Sequence, residues 1–473
     1  MSRRALAAVL AAALLGSGAA GAAPEASVVG TPGASGIGDA YFPLDGNGGY
    51  DVAHYDVHDR MRLGAGRLSG WTRVTATATQ DLSRFDLDLL LTVDRVTVDG
   101  VRARFTRPNA HELQVTPARP IPAGRTFRVR VDYHDVPARI GWKGERSWLG
   151  NTAEVVTMNE PHMAPWWFPA NDHPRDKAAF DITVAVPRGK QAVANGSLVS
   201  RTHTARWSTW HWRAAAPMAP YLAFFAAGDF TLDRGRTPGG TPYTLAVSER
   251  LTAAQQRASM ALLRRTPRVL AWLEGWLGAY PFGTTGGVTT SLRPGFALEN
   301  QTRPTYPYVG GPGSDWLLAH ELAHQWFGDS VSVQGWRDIW LNEGLATFLE
   351  VDWNGNDGFA TMQEWLEWSW GSNGPSASFW DLRIGDPGRT RLFDEAVYVR
   401  GGMAVQALRH RIGETDFRQL LRAWVTARRH GTGSVPDFIA LAETTSGEDL
   451  TGFFDAWLFS TDRPARTVEN GLV

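Results

Sequence analysis

The run His320-Glu321-Leu322-Ala323-His324, followed by Glu343 in Asn342-Glu343-Gly344, constrains this chain more than any other feature. On a helix, residues four apart lie about 40° apart around the axis. Both imidazoles then leave one face, within reach of a single small cation. Glu343 would come from a second, neighbouring helix. Two neutral nitrogens and one carboxylate oxygen form a three-ligand zinc site with its fourth position open. Glu321, one step from the first ligand, can take a proton from a water in that position. The chain has 12 His in 473 residues, and chance yields H-E-x-x-H in roughly 0.015 chains of this composition. The bland alternative is a surface helix with two solvated histidines. It fits poorly with Leu317, Leu318, Leu322 and Trp326, which supply a face for burial, because buried histidines without a ligand are costly.

The chain is long enough for two or three domains. At 43% apolar and 20% charged it can bury large cores, and its net charge of −1 gives no general attraction to nucleic acid or anionic membranes. It has no cysteine, which excludes disulfides, thiolate zinc ligands and a cysteine nucleophile. Arg3-Arg4, the apolar stretch Ala5 to Leu15 and the small residues Ala20-Gly21-Ala22 read as a signal peptide over residues 1–22. That stretch is too short to span a bilayer, and no later run reaches the roughly 18 apolar residues of a spanning helix. The expectation is a secreted, extracellular protein with no membrane span.

Residues 23–39, rich in Gly, Ala, Ser and Pro, read as a flexible arm. Residues 40–235 read as an antiparallel β domain, with strands at Arg73 to Ala78, Leu87 to Val93, Thr126 to Tyr133, Phe180 to Val186 and Leu222 to Phe225. Residues 236–473 are mostly helical. The region Ala253 to Tyr280 has long apolar periodicity. The metal helix should run from Ser314, as N-cap, to Gly328, and a second helix from near Leu341 should carry Glu343 inward. Met403 to Ile412, Asp416 to Arg429, Val435 to Thr445 and Leu450 to Phe459 read as later helices. The fold class is α+β.

The eighteen residues between His324 and Glu343, with Trp326-Phe327-Gly328 and Trp340-Leu341-Asn342-Glu343-Gly344 around them, resemble the gluzincin zinc aminopeptidases of the aminopeptidase N and leukotriene hydrolase type. The resemblance extends to Trp167-Phe168-Pro169, Asn171-Asp172 and Pro174, to Ala297-Leu298-Glu299-Asn300, and to Tyr398 in Tyr398-Val399-Arg400-Gly401. It implies a saddle-like β domain followed by a thermolysin-like catalytic domain. It further implies one zinc ion per chain on His320, His324 and Glu343, with Glu321 as the base and Tyr398 as donor to the oxyanion. Glu299 and Glu160 would meet the free α-ammonium group of a peptide substrate, and Ala297 and Gly295 would line the bound peptide. The implied activity is removal of N-terminal residues from peptides.

Three departures stand out. Phe296 replaces the usual glycine at the head of the Glu299 motif and Leu298 its methionine, while Met158 stands where relatives often have glutamine. Gly295 offers partial compensation for the lost glycine. The chain ends at Val473, without the C-terminal helical domain of longer relatives, so a more open cleft is expected. That opening and Phe296 keep a thermolysin-like metalloendopeptidase as an alternative, beside a non-catalytic peptide-binding protein; epoxide hydrolysis is a minor option. His54, His58, His162 and His173 lack a convincing ligand set and read as structural or exposed. Asp329 and Asp338 are candidates to orient a ligand histidine.

Overall fold

The structure is a computed structural model that describes residues 29–473 apart from 357, 359 and 375. The expected signal peptide lies outside the described residues. Its N-terminal part is built on an eight-stranded sheet in the order Ser197–His203, Trp207–Met218, Ala178–Pro187, Tyr50–Arg62, Arg67–Ala78, Thr126–Asp135, Thr92–Val98, Val101–Arg102. Along Tyr50–Arg62 buried and exposed positions alternate with a period near two, as in a strand with one face on the core. Every junction in this sheet is antiparallel except one: Ala178–Pro187 runs parallel to Tyr50–Arg62, with Phe180 opposite Tyr55. Two four-stranded sheets complete this part. One joins Trp148–Gly150, Val155–Thr157, Phe225–Gly228 and Gln191–Ala194; the other joins Thr31–Pro32, Leu82–Asp88, Glu112–Thr116 and Arg104–Thr106.

The structure corrects several of the sequence expectations. Thr31–Pro32 pairs with Leu82–Asp88, and Asp39 is buried on the Trp336 backbone N–H at 3.0 Å, so the stretch read as a flexible arm is pinned over residues 31–39. Its glycines and prolines make irregular structure whose backbone groups still find partners. The boundary at 235/236 falls inside the strand Phe230–Arg236, which pairs with Pro242–Ser248 in the mixed sheet of the second part. The run Leu87 to Val93 is two strand ends joined by a bend, since Leu82–Asp88 and Thr92–Val98 lie in different sheets. Ala253 to Tyr280 is two helices, Ala253–Leu263 and Thr266–Leu277, broken ahead of Pro267, which sits in the first turn where a missing N–H costs nothing.

The second part packs helices on a four-stranded sheet of Phe230–Arg236, Pro242–Ser248, Thr285–Thr289 and Thr305–Tyr306. Three helices position the site. The His helix spans Asp315–Ala323, the Glu helix Trp340–Asn356 and the Tyr helix Glu395–Ala427, which kinks at Gly413. The Glu and Tyr helices cross in close contact: a Cβ on Gly344 would lie 3.0 Å from the Gly401 carbonyl carbon and 2.6 Å from Trp340 Nε1. Glycine at both positions lets the backbones approach and brings Tyr398 beside Glu343. Lys177 ties the two parts together. Its buried ammonium donates to the carbonyl oxygens of Asp329 at 2.7 Å and Ser330 at 2.9 Å, on the loop that follows the His helix.

Candidate active site

His320, Glu321 and His324 project from the buried end of the His helix. Regular helix ends at Ala323, five residues before the expected Gly328. Bonds from Gln325 N–H to Leu322 and from Trp326 N–H to Ala323 tighten the chain there, and the Phe327 carbonyl turns back to within 3.1 Å of His324 Nδ1. Ser314 occupies the N-cap position without capping; its hydroxyl donates to the Val309 carbonyl at 2.8 Å. Asp315 in the first turn is held by Arg265 at 2.6 Å.

Glu343 Oε2 lies 3.4 Å from His320 Nε2 and 3.4 Å from His324 Nε2. Ligands about 2.1 Å from a tetrahedral zinc ion are separated by about 3.4 Å, so the donor set fits that ion in type and spacing. The outer nitrogens are already committed, His320 Nδ1 to Glu350 Oε2 at 2.9 Å and His324 Nδ1 to the Phe327 carbonyl, which aims both Nε2 atoms inward. Glu350 is the orienting residue that the sequence reading missed. It stands seven residues beyond Glu343, two helical turns on the same face, and that spacing was the available signal. Asp338 instead accepts from the backbone N–H of Val435 and Gly335, and Asp329 is buried near Lys177; neither is bonded to a ligand histidine.

Burial would raise the Glu343 carboxyl, yet His324 and His320 beside it hold it down at about 2. Both histidines are raised against burial by that same carboxylate, so a metal would compete with protons for their nitrogens. Burial pushes Glu321 up to about 8 although both histidines pull the other way. Burial also raises the Tyr398 hydroxyl, with Glu343 and Glu160 adding to it, so the phenol stays a donor. The Tyr398 ring stacks against His320 with centroids 6.1 Å apart.

All nine residues singled out from the sequence line one cavity of about 380 Å³: His320, Glu321, His324, Glu343, Tyr398, Glu299, Glu160, Ala297 and Gly295. Glu299 is buried and Glu160 half-buried, each with one carboxylate oxygen shielded from solvent and lacking a hydrogen-bond partner. Burial raises both, and for Glu160 the charges of Glu299, Glu343 and Glu321 add to it. A concentration of unpaired carboxylates of this kind calls for a cationic ligand. Gln325 was also missed. Its amide donates to the Glu299 carbonyl at 2.9 Å and accepts from the Thr302 N–H at 2.7 Å, fixing the Glu299 loop to the end of the His helix. A second cavity of about 620 Å³ shares Glu160, Phe296, Ala297 and Tyr398 with the first, and Trp148, Leu149, Met158, Met163 and Phe393 give it an apolar wall. Phe296 is 53% exposed and stands between the two. Gly295 before it has a φ of +88°, a conformation suited to glycine.

Residues 315–457 match the model of the peptidase family M1 domain, and residues 54–222 that of the peptidase M1 N-terminal domain. A variant of an M1 zinc metallopeptidase from Deinococcus radiodurans is 30% identical with a TM-score of 0.80, over 89% of this chain and 97% of its own. This chain belongs to peptidase family M1. A second M1 structure from that organism, bound to a Tyr-Ser-Ala substrate, is 29% identical with a TM-score of 0.82, over 91% of this chain and 100% of its own. Aminopeptidase N of Lactococcus lactis subsp. lactis is 26% identical over 360 residues, which are 70% of this M1 chain and 41% of the relative. Tricorn protease-interacting factor F2 of Thermoplasma acidophilum is 24% identical over 451 residues, 88% of this chain and 52% of the relative. The M1 chain thus spans about half the length of the curated relatives it matches.

Proposed function

We propose that this protein is a secreted, zinc-dependent aminopeptidase that releases N-terminal residues from peptides. The observation that carries the reading is the shared cavity, which holds a three-donor metal set, a buried acid, a phenol and two carboxylates that each have one unpartnered oxygen. His320, His324 and Glu343 would hold one zinc ion per chain, which when bound supplies a Lewis acid that lowers the pKa of water towards neutrality. Glu321 takes the proton of the attacking water and passes it to the leaving nitrogen. The Tyr398 hydroxyl donates to the oxygen that gains charge. Glu160 and Glu299 accept from the substrate ammonium, and a blocked amine would leave a shielded oxygen of each acid unpaired. The first side chain of the substrate would then enter the apolar cavity beside Met158. Residues 1–22 support export.

The test compares an amino-acid anilide with its N-acetylated form and with an N-blocked peptide cleaved internally, each with chelator and with zinc restored. Turnover of the free-amine anilide alone, lost with chelator and recovered with zinc, is the expected result. Equal cleavage of free and acetylated substrates would sink the exopeptidase reading and favour the endopeptidase. Zinc binding without turnover on any substrate would favour a peptide-binding protein.

A further inference from the structure

A second set of potential ligands lies in the β part, outside the proposed mechanism. Asp88 ends the strand Leu82–Asp88 and stands opposite Glu112 across an antiparallel pair, with His111 next in sequence to Glu112. Two like charges opposite each other in adjacent strands repel. All three side chains are at most 1% exposed, and one donor atom from each lies within 4.8 Å of the others. His111 Nδ1 is 3.0 Å from Glu112 Oε1 and 3.7 Å from Asp88 Oδ1, separations that bracket the 3.4 Å of the His320, His324 and Glu343 set. The turn is fixed: Asn109 Oδ1 accepts from the backbone N–H of His111 and of Glu112.

The cationic side chains nearby make their hydrogen bonds to other groups, although the charge of Arg107 still acts on Glu112. Arg107 directs its terminal nitrogens to the carbonyl oxygens of Leu89, Leu91 and Ala110. His162 sits between Asp45 and Glu145. Asp88 itself accepts from the backbone N–H of Gly46 at 3.0 Å and Asp172 at 2.6 Å, and from the Asn47 amide at 2.9 Å. The two residues that flank it through these bonds each leave a buried acceptor with no partner, Asn47 Oδ1 and Asp172 Oδ1. Glu112 Oε2 is in the same condition. Buried acceptors without donors are costly, and one divalent cation can satisfy several of them together.

We propose that Asp88, His111 and Glu112 hold a structural divalent cation of the zinc or manganese class. The mixture of carboxylate and imidazole donors suits these ions better than calcium or magnesium. The site is sealed from solvent and admits no substrate, so its effect is to lock the loop around Gly46 onto two strands.

The full chain is dialysed against manganese or zinc and its metal content is measured by mass spectrometry. Wild type is expected to carry two equivalents and Glu343→Gln one. Glu112→Gln should also carry one, with anilide turnover within two-fold of wild type, and the double variant none. Manganese chloride should raise the Tm of Glu343→Gln by about 3 °C or more, and not that of the double variant. A single equivalent in wild type that vanishes in Glu343→Gln overturns the proposal, as does an equivalent that persists in the double variant. If Glu112→Gln fails to fold, His111→Gln replaces it in every arm. Failure here leaves the aminopeptidase reading untouched, because that rests on the other triad.

Discussion

Two buried triads of this chain have nearly the same donors and unequal surroundings. His320, His324 and Glu343 form one wall of a cavity that also presents Glu321, Tyr398, Glu160 and Glu299. Asp88, His111 and Glu112 are closed in between strands, with backbone amides and Asn47 as neighbours. Ligand type alone therefore does not separate a reactive centre from a structural one. Access does, together with groups that can move a proton or bear charge where a substrate sits.

The largest effect should come from a change that keeps the first triad and removes its base. Glu321→Gln preserves shape and all three donors, so zinc content should stay at the wild-type level while kcat falls roughly 10³–10⁴-fold. Metal analysis beside anilide kinetics checks both halves; turnover near wild type would show that Glu321 is not the base. Tyr398→Phe comes next, with kcat reduced about 10²–10³-fold and KM little changed, since the donor acts on charge that develops in the transition state. Glu299→Ala should act more on binding, lowering kcat/KM for free-amine substrates by roughly 10–100-fold, the range of one hydrogen bond to a charged group. In that variant inhibition by a free amino acid should weaken in parallel, and unchanged inhibition would exclude Glu299 from amine recognition.

The first triad was legible in the sequence because its spacing is local: two histidines on one helical face need no tertiary information. Glu343 required only that a second helix cross the first, and Gly344 and Gly401 show how closely the Glu and Tyr helices then pack. Glu160 and Glu299 were found by resemblance alone, since nothing in a strand end or a loop announces a carboxylate that the fold leaves without a partner. Glu350 was readable in principle from helical phase, whereas Gln325 lies past the end of the His helix and its contacts depend on how the chain turns there. The arm and the domain boundary were misread because glycine-rich composition signals irregular backbone, which need not be loose, and because a strand names its sheet only through its partner. Asp88 and Glu112 meet through register, and register depends on the folded pairing of separate segments.

The smallest effect concerns the ion pair that borders the second triad. His162 lies 2.7 Å from Asp45 and 3.1 Å from Glu145, and Glu145 is held in turn by Arg389 at 3.2 Å from the helical part. Burial pulls the imidazole down, yet the two carboxylates hold it up at about 10, against an ordinary value of 6.5. A raised folded pKa stabilises the protonated form. The contribution is therefore complete below pH 6.5 and is lost as pH rises through about 10. His162→Gln should cost more stability at pH 6 than at pH 10, by roughly 1–2 kcal/mol, well under the Coulombic ceiling for so buried a group. Urea midpoints of wild type and variant at the two pH values give the difference directly. Metal content should not change, because His162 is no ligand. A penalty independent of pH would mean that His162 acts here through its packing on Phe42, whose ring centroid is 4.2 Å away, and that its charge adds little.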